Sequence, residues 1–125
     1  YSPKVRSIIE AGMRTPAVSY IQAQHIRRDF RQYMQEVVSK LDVLLTPSTP
    51  SAAPRDLTTT GSPVFQSPWT TCGFPALSMP SGLSDSGLPL GIQLVSAPFT
   101  EDKLLASAHW CEQVLGTGES PPVEA

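Results

Sequence analysis

The sequence predicts an α/β fold that is incomplete as a stand-alone domain, and three observations carry that expectation. Helical periodicity occupies both ends of the chain, while short apolar runs bounded by proline and glycine occupy the middle. The second helix, read from Ala17 to Leu41, would run roughly 37 Å at about 1.5 Å per residue. That is long for a domain of 125 residues and natural for a helix crossing a larger sheet. The apolar run Asp42 to Thr46 is so brief that a buried strand built on it needs neighbours on both sides.

Each element follows from local chemistry. Val5 to Met13 reads as a first short helix, with Val5, Ile8, Ile9 and Gly12 on one face. Thr15 is a competent N-cap and Pro16 suits a first helical position, so the second helix starts there. Ile26, Phe30, Met34, Val37, Val38 and Leu41 recur at helical spacing, with Arg27, Arg28, Arg31, Gln35 and Lys40 largely outside that stripe. Pro47 ends the strand Asp42 to Thr46. Ser48 to Ser62 is polar and proline-rich, hence a surface loop, and Pro63 to Cys72 holds a helical turn or two. Ala76 to Met79 and Gly91 to Ala97 are strands joined through the turn cluster Ser84-Asp85-Ser86-Gly87, with antiparallel pairing expected. Thr100 caps a last helix that carries Glu101 and Asp102 in its first turn and ends before Gly116. Phe99 and Leu104 occupy its staple positions, and Leu104, Leu105, Ala108, Cys111 and Leu115 form its apolar face.

Composition excludes several classes of function. A net charge of −2 argues against nucleic acid as a main partner, since binding phosphates requires a basic surface. No apolar run approaches the roughly 18 residues that a spanning helix needs, so no membrane role is expected. No signal peptide is visible, and the opening at Tyr1 without an initiator Met fits an excised or truncated product. Cys72 and Cys111 lack CxxC spacing and read as small buried thiols of a reducing, cytoplasmic compartment rather than a disulfide. The 13 prolines cluster between Pro47 and Pro98, which fills the middle with turns and short extended segments.

Local chemistry for catalysis is missing. His25 and His109 stand alone, so neither a metal site nor a cofactor is expected. Ser39-Lys40 is the only adjacent Ser/Lys pair, and helical neighbours diverge by about 100° around the axis, which prevents a dyad. Ser78, Ser81 and Cys72 have no activating partner in the local sequence and are assigned to packing or turns. Gly82, Gly87 and Gly91 lack phosphate-loop spacing. The stretch Thr46 to Pro54 has no clear basic flank for SH3-type docking.

Three blocks nevertheless make a specific match. Asp42-Val43-Leu44-Leu45-Thr46-Pro47-Ser48-Thr49-Pro50, Gly73-Phe74-Pro75-Ala76-Leu77-Ser78-Met79-Pro80-Ser81-Gly82 and Gly87-Leu88-Pro89-Leu90-Gly91-Ile92-Gln93-Leu94 resemble, in order and spacing, the C-terminal third of amidase-signature hydrolases. Tyr20, Ala23, Arg27 or Arg28 and Phe30 extend the likeness upstream, and Phe99 to Glu112 is similar to the family's terminal helix. The resemblance implies an α/β/α fold with a large mixed sheet covered by helices. It makes residues 1–116 the C-terminal part of an amidase domain, with 117–125 a disordered tail. It implies hydrolysis of carboxylic amides by a lysine and two serines that lie upstream, so no catalytic residue is expected here and the chain alone should be inactive. The expected partners are the missing N-terminal part of the domain and, in the complete enzyme, a small-molecule amide.

By resemblance, Thr46, Thr49, Trp69 and Thr70 are substrate-pocket candidates. Two alternatives stand beside this reading. One is a non-catalytic structural or interaction module derived from such a hydrolase. The other is a piece of the glutamyl-tRNA amidotransferase, whose amidase-like component holds glutamine's amine with an acidic residue shortly before the block like Gly73-Phe74-Pro75. Leu57 to Leu83 contains no Asp or Glu, which favours a general amidase with a less polar acyl group near Phe65 and Trp69. Thr70 stands where the family usually has asparagine.

Overall fold

The computed structural model describes residues 1–116; the expected tail at 117–125 lies outside the described residues. Helix α1 (Pro3–Met13) begins two residues before Val5, because Ser2 accepts a hydrogen bond from the Val5 N–H and Pro3 fits the first turn. Helix α2 (Ala17–Val38) starts where expected but by a different device. Pro16 itself, with an extended ψ of 142°, occupies the cap position and offers no side-chain acceptor. The Thr15 hydroxyl turns back to the Ala11 carbonyl at the end of α1, so Thr15 caps nothing.

Burial along α2 is a gradient. Ile26 is 70% exposed, Phe30 remains exposed, Met34 is half-buried and Val38 is fully buried. The helix stops at Val38, and Leu41, placed in the stripe from sequence, lies beyond it and exposed. Only the last turns of α2 meet the core of the described residues, and α1 buries no residue at all.

Strands β1 (Leu44–Pro47), β2 (Ala76–Leu83) and β3 (Pro89–Val95) form a sheet in the order β1-β3-β2, antiparallel at both junctions. The first strand begins two residues later than Asp42. The second runs past Met79 through an irregularity between Pro80 and Gly82, which an edge strand tolerates because Pro has no N–H to lose. The third spans 89–95 rather than 91–97.

Alternation sends the two strand faces to two different layers. Val95 and Leu44 pack with Val38, Met34 and the short helix α3 (Ser67–Cys72), whose Trp69 and Cys72 join Phe74 in one core cluster. Leu94, Met79, Leu77 and Ile92 face the other way, onto Leu104 and Ala108 of helix α4 (Glu101–Leu115). The sheet thus has helices on both faces, in the α/β/α layering expected from the fold class.

Helix α4 ends as expected at Gly116, in the left-handed region with φ 61°, where glycine bears no Cβ penalty. Its start differs from expectation. The Thr100 hydroxyl donates to the Ala97 carbonyl at 2.7 Å and caps no helical N–H. Phe99 is 92% exposed with φ 65°, so no staple with the buried Leu104 forms. Leu105 and Leu115 are exposed too, leaving Leu104, Ala108 and Cys111 as the packed stripe.

Candidate functional site

The site begins with a polar row across the sheet. Thr46 on β1 and Ser78 on β2 both stand opposite Gln93 on the central strand, so their side chains share the face turned toward α2 and α3. Gln93 is 4% exposed. Its Nε2 donates to Thr46 Oγ1 at 3.2 Å and to the Phe65 carbonyl at 3.0 Å. Just beyond β1, Ser48 is buried, its N–H donates to the Gly91 carbonyl at 2.9 Å, and its hydroxyl meets that of Ser78 at 2.6 Å.

Helix α3 closes one side of this row. Pro68 lies in its first turn, and Gly73, with φ 69°, ends it so that the chain can turn into Phe74. Trp69 is 8% exposed and stacks on Phe74 with ring centroids 6.4 Å apart. Arg27 Nε donates to the Thr71 carbonyl at 2.6 Å and fastens α3 to α2. Beside that contact runs an apolar groove of about 460 Å³, lined by Ala23, Ile26, Phe30, Val64 and Pro68. A larger cleft of about 800 Å³ between the α2–β1 turn and α4, lined by Lys40, Lys103 and Trp110, includes none of the expected pocket residues.

The four pocket candidates are therefore distributed unequally. Thr46 sits in the polar row, bonded to Gln93. Trp69 is committed to the core stack, while Thr70 is exposed on α3. Thr49 is exposed in the loop after β1, where its hydroxyl donates to the Ser51 carbonyl at 2.8 Å. Gln93 and Ser48 were not singled out from sequence, although both lie within the quoted blocks. The signal for Gln93 was a polar residue between Ile92 and Leu94 in a strand that reads as buried.

Chemically, the row consists of hydroxyls bonded to one another and to an amide. Among the described residues, no Lys, His or carboxylate side chain hydrogen-bonds to Thr46, Ser48 or Ser78, so no base stands ready to activate them. Ser39 spends its hydroxyl on the Glu36 carbonyl and forms no dyad with Lys40. Burial pushes the Cys72 thiol above its ordinary pKa, against the opposing charges of Arg31 and Arg27, which keeps it protonated and a poor nucleophile. No group of three His, Cys, Asp or Glu side chains suited to a metal occurs among the described residues.

Comparison with known proteins agrees with this partial site. The amidase family model matches residues 2–105. Fatty acid amide hydrolase of Medicago truncatula is 36% identical over 119 residues, covering 86% of this chain and 20% of that protein. The amidase-like component of the glutamyl-tRNA(Gln) amidotransferase of Bartonella quintana (strain Toulouse) is 40% identical over 111 residues, covering 78% of this chain and 22% of its own length. A crystal structure of an amidase superposes with a TM-score of 0.83 at 29% identity, over 93% of this chain and 29% of that one. The chain spans about a fifth of the length of the curated relatives it matches. With its three sequence blocks, two-layered helix packing and family match all in register, this chain belongs to the amidase family and carries part of that hydrolase domain.

Proposed function

We propose that the chain is the C-terminal part of a carboxylic-amide hydrolase, supplying sheet, covering helices and a wall of the acyl pocket, while a Ser-Ser-Lys set on the rest of the domain does the chemistry. The observation that carries this reading is the amidase superposition, which accounts for 93% of this chain and only 29% of the other. The site agrees with it: Thr46, Gln93, Ser78 and α3 make a polar and aromatic wall with no base beside any hydroxyl. Thr46, Thr49, Trp69 and Thr70 remain the proposed pocket residues, with Trp69 acting from beneath the surface.

The partner on this reading is the remainder of the amidase domain. The open stripe of α2 and the apolar groove beside Arg27 are the surfaces it would cover. A small-molecule amide would be the substrate, nucleic acid would not bind, and the assembled enzyme would work in the cytoplasm, a reading supported by the free thiols Cys72 and Cys111. No helix among the described residues is long and apolar enough to cross a membrane.

The test is to join the chain, covalently or in trans, to an upstream amidase segment bearing the lysine and serines and to assay a series of amides. Hydrolysis by the assembly and none by the chain alone is the expected result. A stable, inactive assembly would favour the non-catalytic module. One observation supports a second reading: the 40% identity to the Bartonella amidotransferase component. Glutamine-specific ammonia release, without hydrolysis of less polar amides, would favour it, despite the lack of Asp or Glu between Leu57 and Leu83.

A further inference from the structure

The loop between β1 and α3 makes its hydrogen bonds almost entirely within itself. Thr49 bonds to Ser51, Ser51 to Ala52, Thr58 to Asp56 and Gly61 to Thr59. The N–H groups of Gln66 and Ser67 both donate to the Pro63 carbonyl, which forms the turn that launches α3. Among the described residues, one hydrogen bond joins residues 49–66 to the sheet, from Gln93 Nε2 to the Phe65 carbonyl. The same nitrogen holds Thr46 Oγ1, so a single buried amide group ties β1 to the approach of α3. Both segments carry proposed pocket residues, Thr46 on one and Trp69 and Thr70 on the other.

We propose that Gln93 is the positioning residue that sets the acyl selectivity of the pocket, by latching the Pro63–Ser67 turn onto the sheet. It touches no substrate itself. A primary amide suits the task, because it has two donor hydrogens for two acceptors in different segments, and burial shields both bonds from competing water. With the latch released, the turn and the first residues of α3 move relative to Thr46, and the width of the wall changes with them. Bulky acyl groups sense that width, whereas the smallest amides do so far less. The proposal rests on the amidase reading above.

The experiment uses the chain assembled with the remainder of its amidase domain, as Gln93→Met and Gln93→Glu. Met keeps the volume and removes both donors. In Gln93→Met, amide hydrogen exchange at Gln66 and Ser67 should accelerate, and the ratio of kcat/KM for bulky over small acyl amides should shift by about ten-fold, the scale that pocket contacts command. The loss should be smaller on the smallest amides than on the bulky ones.

Gln93→Glu supplies a signature that a merely structural residue would not give. Burial raises a carboxyl pKa, so at acid pH the neutral group can still donate one O–H bond, whereas at higher pH the carboxylate repels the Phe65 carbonyl. Selectivity should therefore move toward wild type on acidification in Gln93→Glu and not in Gln93→Met. Equal losses on every amide in both variants, or unchanged exchange at Gln66 and Ser67, would overturn the proposal. A wild-type assembly that hydrolyses no amide would overturn the amidase reading and the selectivity claim with it, while the exchange measurement would still decide whether the latch exists.

Discussion

The hydroxyls of Ser48 and Ser78 meet at 2.6 Å although their strands never pair, because β3 lies between them. They meet over Gly91, whose missing side chain leaves the room. A Cβ built there would stand 3.0 Å from Ser48 Oγ, 3.3 Å from Ser48 Cβ and 3.4 Å from the Met79 carbonyl.

Gly91→Ala should therefore destabilise the assembled protein by about 1–3 kcal/mol through overpacking. Urea unfolding monitored by tryptophan fluorescence would measure it. A midpoint equal to wild type would mean that Ser48 moves aside without cost.

The two serines should respond unequally. Ser48 is buried and Ser78 exposed, so Ser48→Ala leaves a partner that water can satisfy and costs about 0.5–1.5 kcal/mol. Ser78→Ala strands a buried hydroxyl and costs about 1–3 kcal/mol. The double variant should be no worse than Ser78→Ala alone, and a double-mutant cycle in urea checks the coupling.

Cys72 should resist alkylation in the native state, because it is fully buried and its thiol is held protonated by burial. Half-buried Cys111 should label first, and both should label in denaturant. Since the folded pKa of Cys72 lies above its unfolded value, its contribution to stability is present below the unfolded thiol pKa of about 8.5 and declines as pH rises further. Cys72→Ala should flatten that alkaline loss, measured as the urea midpoint against pH.

Trp69 and Thr70 should separate packing from selectivity. Trp69→Ala removes a stacked core side chain and should cost about 3–5 kcal/mol, lowering the urea midpoint along with any change in acyl preference. Thr70 is exposed and bears no such load. Thr70→Val should alter acyl preference at nearly unchanged stability, as read by a paired melt and substrate series.

The isolated chain should be marginally stable and inactive. Ile8, Ile9, Met13, Ile26, Tyr33 and Leu45 are exposed on faces with no covering layer among the described residues. A broad melt, dye binding and self-association are expected by calorimetry and light scattering. A sharp two-state melt from a monomer would contradict this.

Much of the fold was legible because it is written in local chemistry. The β2–β3 hairpin announced itself through Ser84 to Gly87, and Gly116 ended α4 as a left-handed cap should. What failed were the hydroxyl caps. Thr15 and Thr100 are good cap residues by type, but nearby carbonyls of Ala11 and Ala97 took their hydroxyls first. The staple failed for a related reason, since the left-handed backbone at Phe99 leaves its ring in solvent.

The candidate site was less legible than the fold. Thr46 and Thr70 could be read from resemblance, but Gln93 gains its meaning only when register sets it opposite both Thr46 and Ser78. Trp69 carried an aromatic signal that fits a pocket wall and a core equally well. Its stack on Phe74 depends on the turn at Gly73, which sequence marks without aiming.

The central position of β3 also dictates an order of events during synthesis. Thr46 leaves the ribosome 47 residues ahead of Gln93, a wait of about 2–9 s at 5–20 residues per second. Throughout that interval β1 has no strand to pair with among the described residues, and the tails of α2 and α3 have no floor. Once Val95 emerges, the hairpin with β2 can close within about 10 μs, and β1 docks onto a template already made. The nascent chain therefore passes seconds as an unpaired strand and two open helices, the period in which a chaperone would most readily recognise it.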